Sequence, residues 1–165
     1  YRWLENSDSP ETRAWIEAQN KVTFGYLDQI PERAAIKARL KKLWDYERYG
    51  VPSREGEWYI YSRNTGLQKQ AVIYKTKALD GPAEVLLDPN TWSAEGTIAI
   101  AGMSFSDDGR YLAYAKSVSG SDWQEWYVRD VAANTDLTDV IKGSKVSGSS
   151  GRAMISVPPR LMPSA

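Results

Sequence analysis

The chain has 165 residues, 42% of them hydrophobic, and its 21 Lys and Arg balance 21 Asp and Glu for a formal net charge of +0. That is room for one ordinary domain with a real core, and the neutral balance gives no electrostatic footprint for nucleic acid or an anionic membrane. With no cysteine and no histidine, disulfides, thiolate chemistry, a Ser-His-Asp triad and a histidine-bearing zinc site cannot be completed within these residues.

No apolar run approaches membrane-spanning length. The chain opens on Tyr1 rather than methionine, so the true amino terminus and any targeting segment stay open, and with them the compartment, cytoplasmic or periplasmic. Seven tryptophans and ten tyrosines stand against two phenylalanines. Amphipathic rings in that proportion suit half-buried sheet faces, ring inside and polar tip at water.

Tyr1 to Glu5 is aromatic and expected to pack on something. Asp8-Ser9-Pro10-Glu11 marks a helix start, with Asp8 as capping residue, proline in the first turn and Glu11 three residues on. Trp15, Ala18 and Val22 form a helical stripe, joined by Ile16 and Leu27 and interrupted at Gly25, which predicts a helix over Pro10–Asn20. Pro31-Glu32 opens a second helix to Leu43, with Ile36, Leu40 and Leu43 on one face and Arg33, Lys37, Arg39, Lys41 and Lys42 on the other. The charge run reads as a solvated face. Each helix has one apolar face and needs another surface to cover it.

From Asp45 the period changes. Tyr46, Tyr49 and Pro52 lead to a strand at Trp58–Tyr61, a turn at Asn64-Thr65-Gly66, and a strand at Ala71–Tyr74. Asp80-Gly81-Pro82 turns into Val85–Leu87, and Asp88-Pro89-Asn90 closes it. Thr97 to Ala101, Met103 and Phe105 begin a meander that turns at Ser106-Asp107-Asp108-Gly109, runs through Tyr111–Ala115, turns again at Ser119–Asp122 and ends with Trp123–Val131. Gly56–Thr76 echoes Gly109–Val131 at a spacing of 53 residues, the length of a blade-like repeat. From Gly143 the chain turns rich in Ser, Gly and Pro, and a disordered tail is expected over 143–165.

Candidate chemistry is sparse. Asp107 and Asp108 are paired carboxylates but precede Gly109 in a hairpin, where Asp serves the backbone. Asp122 reads as a turn or cap. Ser149 lies in Ser-Gly-Ser-Ser-Gly, which is not a G-x-S-x-G elbow. Arg110-Tyr111 could stack on single-stranded nucleic acid, which the neutral charge disfavours.

Several stretches, taken together and in order, resemble the prolyl oligopeptidase family: Tyr1–Glu5 with Trp15–Asn20, Tyr46–Gly50, Tyr61–Gln70, Leu87–Asn90, Ser104–Ala115 and Ser117–Trp123. The resemblance runs to about Ile141. It implies a mainly β chain with an amino-terminal α-helical arm, forming part of a seven-bladed β-propeller, about one and a half blades of antiparallel meander. Residues 1–44 would be a helical arm that packs on an α/β-hydrolase domain, 45–142 the first blade and part of the second, and 143–165 a divergent tail such as a frame shift or truncation would leave. Family members are serine endopeptidases that cleave short peptides after proline, with the propeller gating access. The expected function is therefore an amino-terminal fragment of such an enzyme, inactive alone; the alternative is a stand-alone propeller-repeat interaction module. No catalytic, cofactor-binding or metal-binding residue can be placed. The implied partners are the hydrolase domain of the same chain and short proline-containing peptides, without nucleic acid or membrane. So short a stretch of propeller also predicts marginal stability and self-association through exposed strand edges.

Overall fold

The computed structural model describes residues 1–145. They divide at Asp45/Tyr46 into two compact units.

The first unit holds a short 3₁₀ turn, Arg2–Glu5, and two helices, α1 (Pro10–Leu27) and α2 (Arg33–Trp44). Ser9, not Asp8, caps α1: its Oγ accepts from the Thr12 backbone N–H at 3.1 Å and donates to Thr12 Oγ1 at 2.9 Å. Asp8 instead pairs with Arg13 at 3.2 Å. Thr12 Oγ1 passes its own proton to the Trp3 carbonyl at 3.1 Å, and the Trp3 and Trp15 rings meet edge to face at 6.3 Å. These contacts tie the 3₁₀ turn to the first helical turn. Gly25 does not break α1. A helical glycine costs only about 1 kcal/mol relative to alanine, too little to end a helix that continues through Tyr26 and Leu27. The apolar residues of α2, Ile36, Leu40, Leu43 and Trp44, remain exposed.

The second unit is two antiparallel sheets. The first contains β1 (Arg48–Tyr49), β2 (Ser53–Glu55), β3 (Trp58–Asn64), β4 (Val72–Thr76) and β5 (Glu84–Leu87). β1 and β2 pair with successive parts of β3, so they form one outer strand broken at Gly50-Val51-Pro52. Proline has no ladder donor and is placed at such edges. The second sheet is a meander in chain order of β6 (Ile98–Phe105), β7 (Tyr111–Val118), β8 (Trp123–Asp130) and β9 (Thr135–Lys145). β9 has no counterpart in the sequence reading. It is exposed along nearly its whole length, so no buried face imprints an alternation on its residues. It also carries Gly143, Ser144 and Lys145, the first three residues of the expected tail, into the sheet; the remainder of that tail lies outside the described residues.

One apolar cluster joins the sheets. Ile60, Ile73, Leu86 and Leu87 from the first pack with Leu112, Tyr114 and Val131 from and beside the second. Polar contacts cross the same junction. The Lys75 amino group, 1% exposed, donates to Val131 O at 2.6 Å and Ala132 O at 3.3 Å. Arg129 donates to Leu86 O, and Asn134 Nδ2 to Val85 O at 3.0 Å. The 53-residue echo is structural: Tyr61 pairs with Tyr74 across β3 and β4, and Tyr114 with Tyr127 across β7 and β8.

Candidate functional site

The carboxylates read from the sequence all lie in turns, and Asp108 is bonded there. Asp108 Oδ1 accepts from Ser106 Oγ at 2.6 Å and from the Arg110 backbone N–H at 3.0 Å. The Ser106 hydrogen bond, with the Arg110 N–H behind it, holds the Asp108 carboxyl below the usual range. Asp122 lies in the β7–β8 turn, but Ser121 supplies the bonds there, accepting from Trp123 N at 3.1 Å and, through its carbonyl, from Ser117 Oγ at 2.7 Å. Arg110 sits over its neighbour Tyr111 at 4.9 Å and pairs with Asp130 at 3.7 Å. Ser149 is outside the described residues. Among the described residues no cluster of three or more His, Cys, Asp or Glu could hold a metal ion.

What the fold does assemble is an aromatic ladder on each sheet. Antiparallel pairing puts directly opposed side chains on one face, close enough to interact. In the first sheet the Tyr61 and Tyr74 rings stack at 5.5 Å and 15°, Tyr49 follows at 6.2 Å, and Arg63 lies over Tyr49 at 5.6 Å while bonding Glu47 at 2.7 Å. In the second sheet Tyr114 and Tyr127 stack at 5.5 Å and 21°, and Trp92 extends the stack at 5.7 Å. Lys116 takes the place of Arg63, 53 residues on, with its amino group 4.2 Å from the Tyr127 centroid and 4.4 Å from that of Trp92.

The second ladder is electrostatically closed. Tyr114 OH donates to Asp136 Oδ2 at 3.0 Å, Arg129 Nε to Asp136 Oδ1 at 2.7 Å, and Tyr127 OH to Glu125 Oε2 at 2.8 Å. Burial, then the Asp136 charge, pushes the Tyr114 phenol well above its ordinary range. The Glu125 hydrogen bond, then burial, raises that of Tyr127. Burial lowers Lys116, with Asp136 working against it. Asp136 is desolvated, yet the Arg129 hydrogen bond and charge, with the Tyr114 hydroxyl, hold it below the usual carboxylate range. Every one of these groups is spoken for by a neighbour. The arrangement locks rings and charges together and activates no nucleophile. Sequence reasoning missed Lys75, Lys116, Arg129 and Asp136. For Lys75 and Lys116 the available signal was a cation within a largely apolar strand; Arg129 and Asp136 carried no such signal.

Two register-matched antiparallel sheets, related by a 53-residue repeat and packed face against face, define consecutive blades of a partial β-propeller. The model of the prolyl oligopeptidase N-terminal β-propeller domain matches residues 1–150, and the chain belongs to that family. The prolyl endopeptidase of Elizabethkingia meningoseptica is 39% identical over 148 residues, 90% of this chain and 21% of the relative. A prolyl oligopeptidase of Dendrothele bispora is 38% identical over 140 residues, 79% of this chain and 19% of the relative. Among solved structures, one from a mechanistic study of two prolyl endopeptidases matches with a TM-score of 0.78 at 34% identity, covering 86% of this chain and 21% of that one. Prolyl oligopeptidase B of Galerina marginata, bound to a 35-residue hydrolysis and macrocyclization substrate, matches with a TM-score of 0.71 at 28% identity, covering 86% and 23%. The chain thus spans about a fifth of the length of the relatives it matches, over their amino-terminal propeller region.

Proposed function

We propose that this chain serves as the amino-terminal helical arm and opening blades of a prolyl oligopeptidase-type serine endopeptidase. In that role the sheets form part of a wall that limits access to short, proline-containing peptides. The helices of residues 1–44 supply an apolar face for an α/β-hydrolase domain. The family match over residues 1–150 carries the reading. The exposed Ile36, Leu40, Leu43 and Trp44 of α2 support the second part, since four large apolar side chains on one short helix need a covering surface. The self-standing interaction module is the weaker reading, because the match follows a peptidase family in order from the first residue.

By itself the 165-residue chain is proposed to be inactive. It contains no histidine to activate a serine, and of its paired carboxylates Asp108 is bonded within a hairpin turn by Ser106 and the Arg110 backbone. The purified chain is expected to leave a Gly-Pro chromogenic peptide intact. Turnover abolished by a serine-directed covalent inhibitor, in a preparation free of host peptidases, would overturn the proposal.

A further inference from the structure

Two Asp-Gly steps occur in the sequence, Asp80-Gly81 in the β4–β5 loop and Asp108-Gly109 in the β6–β7 hairpin. At such a step the side-chain carboxyl can react with its own main chain. Glycine has no Cβ to obstruct the approach, so its nitrogen can reach the aspartate Cγ and close a five-membered succinimide ring. Closure swings the Asp-Gly peptide about the aspartate Cα–C bond. It also needs a carboxyl oxygen free to leave, which an ionised and bonded carboxylate does not offer.

The fold restrains Asp108-Gly109 on both counts. Asp108 Oδ1 accepts from Ser106 Oγ at 2.6 Å and from the Arg110 N–H at 3.0 Å. The Ser106 bond, then the Arg110 N–H, keeps the carboxyl ionised below its ordinary range. The peptide joining the two residues is packed on Glu55 and Gly56 of the other sheet, and a Cβ on Gly109 would stand 2.5 Å from the Glu55 carbonyl carbon. Backbone from another element blocks the swing.

Asp80-Gly81 has neither restraint. Asp80 is exposed, and among the described residues no group bonds or pairs with its carboxyl. The three atoms nearest a Gly81 Cβ belong to Ala78 and Thr76 of the same loop, at 3.3 to 3.6 Å. The glycine N–H is engaged alike in both turns, by Ala78 O at 3.0 Å for Gly81 and by Ser106 O at 2.8 Å for Gly109. That bond does not distinguish the two sites; the carboxyl and the packing do.

We propose that Asp80 is a site of spontaneous covalent modification, isomerising to isoaspartate in the folded chain while Asp108 is protected. The Gly81 nitrogen forms a bond to Asp80 Cγ as a carboxyl C–O bond breaks. The departing oxygen takes the amide proton and the acid proton and leaves as water. Water then opens the ring at the former main-chain carbonyl, and the chain now runs through Cβ and Cγ. The water lost is regained, no co-reactant is required and the mass is unchanged. The main chain gains one methylene in a loop that Thr76 clasps, its Oγ1 lying 2.7 Å from Ala78 O and 3.0 Å from Pro82 O. The added length falls at the entry to β5, which carries Glu84 to 3.3 Å from Lys75 Nζ and buries Leu86 and Leu87.

Peptide mapping with electron-transfer fragmentation, which separates isoaspartate from aspartate, follows both sites in the 165-residue chain held at mildly acidic pH. Isoaspartate is expected to accumulate several-fold faster at Asp80 than at Asp108. In urea the two sites are expected to draw level, because the dipeptide chemistry is the same once the fold is gone. Asp80→Glu puts the carboxyl beyond five-membered reach. It is expected to remove most of the isoaspartate counted by enzymatic transfer of a labelled methyl group, with Asp108 unchanged. Equal rates in the native sample, faster conversion at Asp108, no isoaspartate at Asp80, or an Asp80→Glu count equal to that of the unmodified chain would each overturn the proposal.

Discussion

Gly56 and Gly109, 53 residues apart in sequence, meet backbone to backbone where hairpin turns of the two sheets touch. Both have left-handed backbones, with φ of +60° and +69°. A Cβ on Gly109 would stand 2.5 Å from the Glu55 carbonyl carbon and 2.6 Å from the Gly56 nitrogen. Gly120, at φ +74°, has nothing within 4 Å of that position and serves as a control. Gly120→Ala is expected to lose about 1–2 kcal/mol from backbone strain alone. Gly109→Ala meets both strain and main-chain collision and is expected to lose about 3 kcal/mol or more. Urea denaturation of the three proteins, compared at constant slope, checks the ranking. Equal losses would mean that the turn contact carries no weight.

Lys75 is the polar pin of the inter-sheet junction. Its stem is buried, its amino group is 4.6 Å from the Trp58 centroid and 3.3 Å from Glu84 Oε2, and it donates to two carbonyls of the β8–β9 turn. Lys75→Met keeps the volume and removes the donor. The Val131 and Ala132 carbonyls stay at the junction, so a loss of about 1–3 kcal/mol is expected. A neutral or stabilising result in a denaturant melt would show that desolvating the ammonium already cancels its bonds.

Stability should fall at both ends of the pH scale for separable reasons. Asp136 has a depressed folded pKa. Its contribution is present above the ordinary carboxylate value of about 3.9 and disappears as pH falls through the folded value. Tyr114 and Tyr127 have raised folded values. Their contribution is complete below about pH 10 and disappears as pH rises through the folded values. Denaturant midpoints for the unmodified chain and Asp136→Asn are expected to converge in acid and diverge toward neutrality. Parallel curves would exclude Asp136 as the acid-sensitive group.

The α1 cap offers a local test. Ser9→Ala removes the acceptor for Thr12 N–H and the donor to Thr12 Oγ1. A loss of about 0.5–2 kcal/mol is expected, read as reduced protection of the first-turn amides in hydrogen exchange. Asp8→Ala should leave those amides unchanged, because its ion pair with Arg13 is exposed.

The sequence by itself determined the helices, most strands, the hairpin turns and the repeat. Each of these is written in neighbouring residues. Pro10 opens α1, whereas α2 starts at Arg33, two residues past the expected Pro31; Gly56, Gly109 and Gly120 supply left-handed turns, and Trp58–Tyr61 and Tyr111–Ala115 announce strands by composition. It also carried the family, through several short stretches in fixed order. Tertiary structure alone decided the rest. β9 became a strand because β8 offers it a ladder, not because its own residues alternate. Lys75, 56 residues from Val131, became a core residue because two backbone carbonyls arrive from the other sheet to replace water around its amino group. Tyr61 and Tyr114 hold equivalent places in the repeat and each stacks on a tyrosine of the next strand, yet Tyr114 is buried and Tyr61 is part-exposed. Which face another sheet covers depends on where the sheets lie in space, and no local pattern records that.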